Sequence, residues 1–308
     1  MESKKPEEMR SMVKSGIILL DKGENMTSQS AVTRVKRLLG VKTAGHTGTL
    51  DPLATGLLPV CFGRATRAAG YITDGAKRYT ALLRTGMSTD TDDITGNVLE
   101  MGEPLSREMV EAAASEFIGE IEQVPPMYSA IKKDGKKLYE LARAGITLEL
   151  EPRRIEIYSI DIIDTPKEGD FLLDIRCSKG TYIRSLCRDI SARAGGLGCM
   201  AALRRTETGG FDISSAVTLE EISSRLEAGD DGFILPISEA FADLPEVYVK
   251  AEAGRLVRFG ADIPSKLITC GSERLGPCRL YVEGEGFIAL ARNEGRFIHT
   301  EKSFYEVD

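Results

Sequence analysis

Apolar positions along this chain change their spacing several times, and each change marks an element. Gly16-Ile17-Ile18-Leu19-Leu20-Asp21 is an almost unbroken apolar run that reads as a buried strand, opening into a polar loop from Lys22 to Thr27. The spacing then turns helical. Val32, Val35, Leu38 and Leu39 share one face, Ser28 or Ser30 is placed to cap the start, and Gly40 ends it, with Arg34, Lys36 and Arg37 on the wet side. Lys77 to Arg84 reads as a strand and Thr89 to Gly96 as a turn-rich connection. Ser106 to Ile118 is helical, with Met109, Val110, Ala113 and Phe117 on one face. Alternation returns at Ile155, Ile157, Ile160 and Ile162, then at Phe171, Leu173, Ile175 and Cys177, predicting two strands. The second feeds Ser178-Lys179-Gly180-Thr181 and a helix whose face is Ile183, Leu186, Cys187 and Ile190, closed by Gly195-Gly196. Arg184 points off that face in the first turn. Thr218 and Glu221 make the capping box of a further helix.

These elements predict an α+β protein of two domains, with a mixed sheet in residues 1–243 and short glycine-separated strands, such as Leu280-Tyr281-Val282 and Phe287-Ile288-Ala289-Leu290, in residues 244–308. Residues 124–154 form a basic insertion, polar and punctuated by Pro and Gly, too irregular for core and long enough to be functional. No internal repeat or low-complexity tract interrupts the pattern.

Composition narrows the function classes. With 308 residues and 42% hydrophobic content the chain can bury a large core, and a net charge of −7 argues against coating nucleic acid through bulk charge. A local basic surface remains possible, because Lys132, Lys133, Lys136, Lys137, Arg143, Arg153 and Arg154 crowd one interval. There is no long apolar run, and Met1 to Ser15 is charged, so the expectation is a soluble, unsecreted protein without a membrane segment. Six cysteines include no C-x-x-C pair and only His46 and His299 offer imidazoles, so no zinc site is expected. Cys270 and Cys278 flank a turn and could meet, yet reduced, mostly buried thiols are the expectation for all six.

The most informative stretch is Gly45-His46-Thr47-Gly48-Thr49-Leu50-Asp51-Pro52-Leu53-Ala54-Thr55-Gly56-Leu57-Leu58-Pro59-Val60, which strings a single acid among glycines, threonines and prolines. Pro52 disfavours the helical region for Asp51, placing the acid on extended or turning backbone. A turn aspartate bonding its own backbone is the plain reading of Asp-Pro. This loop is more constrained than one turn needs.

Six segments in order resemble the TruB-type family of bacterial tRNA pseudouridine-55 synthases: Leu19 to Lys22, Ala44 to Gly56, Lys77-Arg78-Tyr79, Thr89-Asp90-Thr91-Asp92-Asp93, Pro126 to Lys132, and Cys177 to Arg184. The resemblance implies a pseudouridine-synthase mixed-sheet catalytic domain followed by a small PUA-like RNA-binding domain. Its reaction breaks the uracil N1 to ribose C1′ bond, turns the base and rejoins it through C5, after flipping the uridine from its stack, with no metal or other cofactor. On this resemblance Asp51 is the catalytic carboxylate, Arg184 its paired guanidinium, and Asp93 the acid completing their network. Tyr79 stacks on uracil, Tyr182 and Leu203 wall the pocket, and His46 fills the space of the flipped nucleotide. As isolated residues, Tyr79, Tyr182 and Leu203 read equally as core, and His46 as a loop brace.

The insertion resembles the family's clamp on the tRNA T-arm, with Lys132, Lys133, Lys136, Lys137 and Arg143 on phosphate and Tyr128 and Tyr139 available for stacking; a solvated charge run is the bland reading. Lys22 is an RNA contact by the same resemblance. Its loop departs from the family's Lys-Pro-x-Gly, reading Lys22-Gly23-Glu24-Asn25, and Asn25 suits a left-handed backbone in place of glycine. Asp90 and Asp92 are solvated turn acids by default, since a calcium-loop reading fails at Ile94. The family implies a cytoplasmic monomer with no obligate protein partner. A guide-RNA-dependent synthase and a non-enzymatic RNA-binding or RNA-folding protein are the alternatives. An aspartate-nucleophile phosphotransferase would need a D-x-D-x-T strand motif that the chain lacks.

Overall fold

The computed structural model describes residues 13–305 apart from positions 130, 131, 134, 144, 147 and 149, and the side chains of Lys132, Lys133, Lys136, Lys137, Tyr139, Ala142 and Arg143 also lie outside the described residues. In chain order the elements are β1 (Gly16–Lys22), α1 (Ser28–Leu39), β2 (Ala44–His46), β3 (Thr55–Phe62), α2 (Ala69–Asp74), β4 (Lys77–Thr85), β5 (Met87–Thr89), β6 (Val98–Met101), α3 (Arg107–Ser115) and β7 (Gly119–Gln123). The insertion supplies β8 (Lys132–Lys133), β9 (Lys136–Lys137) and α4 (Leu138–Arg143). Then follow β10 (Arg153–Lys167), β11 (Asp170–Cys177), α5 (Ile183–Arg193), β12 (Gly198–Thr208), β13 (Phe211–Asp212), α6 (Leu219–Glu227) and β14 (Ile234–Leu235).

One mixed sheet of ten strands runs β14-β1-β3-β12-β4-β11-β10-β7, with β2 added to β3 and β13 to β12. β1 reads as a continuous apolar run because both its faces are covered. Ile18 and Leu20 join Val32 and Val35 of α1 in the main core, while Ile17 and Leu19 join Ala65 and Ile72 on the other side. The change of phase in β10 from Ile157 to Ile160 has a cause: the pairing with β11 shifts register between Ile157 and Ser159, and such a bulge turns the following side chains to the other face.

Helix ends follow the sequence with one instructive difference. Gly40 closes α1 in the left-handed conformation at φ 68, and Thr218 and Glu221 form the reciprocal cap of α6. Yet Thr27 caps α1, accepting from the Ser30 amide, rather than Ser28 or Ser30. Ser28 is thereby released for another task. On α3 Val110 and Ala113 are buried as expected, whereas Met109 faces solvent.

A second sheet follows, built from β15 (Glu246–Val249), α7 (Gly254–Arg258), β16 (Ile263–Pro264), β17 (Ile268–Cys270), β18 (Gly276–Val282), β19 (Gly286–Asn293) and β20 (Phe297–Ser303), in the order β16-β20-β19-β18-β15-β17. It has its own core of Val247, Val249, Leu280, Val282 and Ile298. Phe241 and Ala68 meet Leu290 and Phe304 where the two sheets adjoin. All six cysteines are free thiols, Cys278 buried and Cys270 exposed.

Two strands hold the Asp51 loop between them. β2 and β3 pair antiparallel, His46 opposite Val60, and the segment between them carries Asp51. At its exit β3 meets β12 in parallel, Arg205 opposite Gly56. The backbones approach so closely there that a Cβ on Gly56, at φ +97, would lie 2.3 Å from the Arg205 carbonyl oxygen. Gly56→Ala is therefore expected to cost about 2–4 kcal/mol through backbone strain and the forced separation of β3 from β12. Urea unfolding checks this, and an unchanged midpoint would refute the close-approach account.

Candidate functional site

The Asp51 loop is braced from four directions. The buried Ser28 hydroxyl accepts from the Leu50 amide at 2.8 Å and donates to the Leu50 carbonyl at 2.9 Å. Within the loop, the Ala54 amide donates to the Asp51 carbonyl at 3.1 Å, making Asp51 part of a turn. From beneath, Arg205 donates through Nε to Leu57 O at 2.8 Å and through Nη2 to Gly48 O at 3.2 Å. Lys22 completes the bracing, donating to Gly23 O at 2.9 Å, Met26 O at 2.8 Å and Pro52 O at 3.5 Å.

That placement corrects the expectation for Lys22. It is only 1% exposed, and its three donors are spent on backbone carbonyls, so it holds the loop instead of reaching outward to phosphate. Asn25 in the same turn has φ 56, the left-handed conformation that asparagine accepts, which explains how the loop forms without the family's glycine.

Arg184, in the first turn of α5, meets Asp51 with Nη2 to Oδ2 at 3.0 Å, and its Nη1 lies 3.7 Å from Asp93 Oδ2. The guanidinium also donates to Thr91 O at 3.1 Å and Tyr128 O at 2.7 Å. The side chain leaves the apolar stripe of its helix as the pattern indicates, yet it is 5% exposed, covered by segments distant in sequence. The Asp51 side chain keeps 39% exposure, so the pair has a buried cationic end and an open anionic end.

The Thr89–Asp93 segment is shaped to hold this arginine. Asp93 Oδ1 accepts from the Thr91 hydroxyl at 2.9 Å, the Thr95 amide at 3.0 Å and the Thr95 hydroxyl at 2.5 Å, while Asp93 pairs with Met200 as an isolated bridge to β12. Asp90 is a turn acid, accepting from the Asn97 amide at 2.8 Å. Asp92 differs from the solvated acid expected. At φ 60 it turns inward, and its carboxylate accepts from Arg188 at 2.7 Å. Burial pushes the Asp92 carboxyl upward, opposed by Arg188 and Arg184.

Tyr79, Leu203 and Tyr182 line the same region. Tyr79 on β4 stands directly opposite Arg205 on β12, and Leu203 opposite Ala81, so Tyr79 and Arg205 share one face of the sheet. Burial holds the Tyr79 phenol above its ordinary value, with Arg205 pulling it down and Asp51 pushing it up. Tyr182 sits at the N-terminus of α5, where its amide donates to Gln123 Oε1 at 2.8 Å and its carbonyl accepts from Gln123 Nε2 at 3.0 Å. Burial raises its phenol as well. His46 ends β2, and its Nδ1 accepts from the Gly48 amide at 3.4 Å. Burial, then Arg205, lower its pKa below the ordinary imidazole value, so the ring is neutral near pH 7.

The structure thus joins Asp51, Arg184 and Asp93 by ion pairs and sets Tyr79 and Tyr182 within reach of the Asp51 charge, while Leu203 lies on the Tyr79 face of the sheet and His46 ends the strand that leads into the Asp51 loop. Lys132, Lys133, Lys136, Lys137 and Arg143 lie on a separate feature. β8 and β9 pair as a hairpin, Lys133 opposite Lys136, across a loop containing Gly135 at φ +81. Where those side chains point lies outside the described residues. The reading of the sequence missed Arg205. Its signal was an arginine at an inward position of β12, two residues after buried Leu203.

A partly open carboxylate held against a buried guanidinium, with two phenols and a leucine beside it, can serve as an anionic nucleophile or base in a water-poor pocket. Among the described residues no cluster of metal-ligating side chains occurs, and no helix is long and apolar enough to cross a membrane. Fold and site together define a pseudouridine-synthase class of protein. Family models agree: the description "TruB family pseudouridylate synthase (N terminal domain)" matches residues 36–183, and "tRNA pseudouridylate synthase B C-terminal domain" matches 184–242. The chain belongs to the TruB family of pseudouridylate synthases. It is 42% identical over 286 residues to a tRNA pseudouridine synthase B of Neisseria gonorrhoeae, covering 90% of each chain. With the enzyme of that name from Ralstonia pickettii it shares 46% over 256 residues, 82% of this chain and 80% of the relative. A solved H/ACA RNP bound to a substrate RNA containing 2′-deoxyuridine includes a chain similar over 99% of this one and 89% of its own length, with 27% identity and a TM-score of 0.72.

The buried lysines make stability depend on pH. Lys77 donates to Thr73 O and Gly75 O, both at 2.8 Å, and burial with Arg205 nearby lowers its pKa to about 8; burial brings Lys22 to about 8 too. A lysine with a native pKa below its unfolded value of 10.5 releases its proton first in the native state, so between pH 8 and 10 the unfolded chain binds more protons and stability rises with pH. Relative to Lys77→Met, wild type should gain on the order of 1 kcal/mol across that window. Denaturant unfolding at pH 8, 9 and 10 measures the difference, and a flat difference would contradict the burial argument.

Proposed function

We propose that this protein isomerises uridine to pseudouridine in the T-loop of tRNA, at position 55, with Asp51 as the catalytic carboxylate. The observation that carries this reading is the Asp51–Arg184 pair, a half-exposed anion held at 3.0 Å by a nearly buried guanidinium. As the pocket closes over a flipped uridine and water leaves, that guanidinium keeps Asp51 ionised and aimed. The chemistry is redox-neutral and needs no cofactor. The N1–C1′ bond breaks, the base turns, a C5–C1′ bond forms, and the proton on C5 leaves while N1 gains one. Attack by Asp51 on C1′, its addition to C6 and removal of a ribose C2′ proton all draw on the same carboxylate.

The other side chains take their roles from position. Tyr79 and Leu203, on neighbouring strands, form a wall against which the detached base turns, with Tyr182 at its edge. Asp93 fixes Arg184 from the side opposite Asp51. Neutral His46 offers a flat ring for the space a flipped nucleotide leaves in the T-loop. The insertion of residues 124–154 clamps the T-arm through Lys132, Lys133, Lys136, Lys137 and Arg143. Residues 1–243 act as the catalytic unit and residues 244–308 as a PUA-like RNA-binding unit, in a cytoplasmic monomer that needs no protein partner.

A guide-dependent reading has one observation behind it, the similarity to chains of H/ACA assemblies. Release of tritium from C5-labelled uridine in transcribed tRNA, with and without added guide RNA, separates the two readings. Full release without guide supports the stand-alone enzyme. In that assay Asp51→Asn is expected to abolish turnover while tRNA affinity stays within about a few fold, because the acid acts on chemistry and phosphate contacts lie elsewhere. Turnover above background in this variant would remove Asp51 from the mechanism.

Neutralising Lys132, Lys133, Lys136 and Lys137 together should weaken tRNA binding and flatten its salt dependence, by about 0.9 in log-log slope for each duplex phosphate that no longer faces a cation. Binding is measured at several salt concentrations in the Asp51→Asn background. An unchanged slope would make this hairpin a solvated face and place the tRNA elsewhere.

A further inference from the structure

Arg205 is the largest of the almost wholly buried side chains, 1% exposed, and none of the ion pairs among the described residues includes it. Burying a guanidinium without a carboxylate is costly, so its hydrogen bonds must be organised. They reach two segments, Nε holding Leu57 O on β3 and Nη2 holding Gly48 O in the Asp51 loop, while Tyr79 on β4 stands directly opposite Arg205 on the same face of the sheet. The Arg205 backbone also lies against Gly56 at the exit of the same loop, in parallel register. One residue therefore grips the Asp51 loop at both ends and faces the neighbouring phenol.

We propose that Arg205 is a positioning residue for the isomerisation, fixing the Tyr79 hydroxyl relative to the Asp51 carboxylate by gripping the Asp51 loop and facing the phenol from beneath. A permanent cation facing the phenol orients the hydroxyl dipole, oxygen toward the guanidinium and proton toward the pocket. A mere brace of the Asp51 loop would be indifferent to the Tyr79 hydroxyl. This inference rests on the pseudouridine-synthase reading of the site and deepens it.

The test is a double-mutant cycle on the single-turnover rate of tritium release, with tRNA affinity and melting temperature measured for each variant. Arg205→Lys keeps the charge and loses the fork; it is expected to slow the reaction about tenfold or more with affinity within about threefold. In the Tyr79→Phe background the same change should slow the reaction less than about threefold, because the hydroxyl it positions is already gone. A wild-type rate for Arg205→Lys, or losses that multiply in the double variant, overturns the proposal.

If Arg205→Lys folds poorly, Arg205→Gln replaces it in the cycle. That change keeps an amide donor and loses both the charge and the fork, so the same criterion applies. Wild-type turnover with multiplying losses sinks the Arg205 proposal alone. Absence of wild-type turnover sinks the functional reading and the proposal with it.

Discussion

The site depends on how one guanidinium is kept in the protein. Removing Arg184 from water costs several kcal/mol, and an arginine so placed is stable only when every face of its fork finds an acceptor. Asp51 and Asp93 supply charge, and the carbonyls of Thr91 and Tyr128 supply the remaining acceptors. Those partners come from the loop before β3, the loop after β5 and the edge of the insertion. None can shift without leaving Arg184 undersatisfied, so the requirement to satisfy one buried cation fixes the relative positions of three loops. The threonines around Asp93 extend the same logic outward, since a carboxylate already bonded to Thr91 and Thr95 cannot swing away from the arginine.

Much of this fold was legible because burial on one face or two imposes a simple spacing. The apolar run of β1, the helical face of α1, the Gly40 terminus and the α6 capping box all appear as their residue patterns indicate. The differences arise where tertiary demands outrank local preference. Ser28 has the side chain of a helix cap, but the Asp51 loop has an unpaired Leu50 amide and carbonyl, and Ser28 satisfies both while Thr27 takes over the cap. Met109 has helical spacing yet faces solvent on α3.

The chemistry was legible differently. Asp51, Arg184, Asp93 and Tyr79 came from a family resemblance carried by short motifs, and their convergence could not be deduced from spacing, since they lie on elements that only the sheet order brings together. Lys22 came from the same resemblance as an RNA contact, but its loop curls back so that the carbonyls of Gly23 and Met26, with that of Pro52 from the Asp51 loop, surround the ammonium. Arg205 escaped notice for another reason. An inward arginine in a strand violates the alternation rule, and such violations concentrate at functional sites.

Net charge conceals the local field. The chain carries −7 overall, but Lys22 and Arg205 are buried beneath the Asp51 loop, Lys77 is buried near Arg205, and among the described residues none of the three has a carboxylate within ion-pair distance. Each lysine answers the burial by a lowered pKa, to about 8, and Arg205, which cannot deprotonate, stays charged. A permanent positive charge under the loop and a second at Arg184 beside it make the pocket floor attractive to anions in a protein whose surface is otherwise acidic. Such an arrangement favours two kinds of negative charge, the Asp51 carboxylate before reaction and the electron density that gathers on a base as its glycosidic bond breaks. As water is excluded the effective dielectric falls, and both interactions strengthen when the substrate is in place.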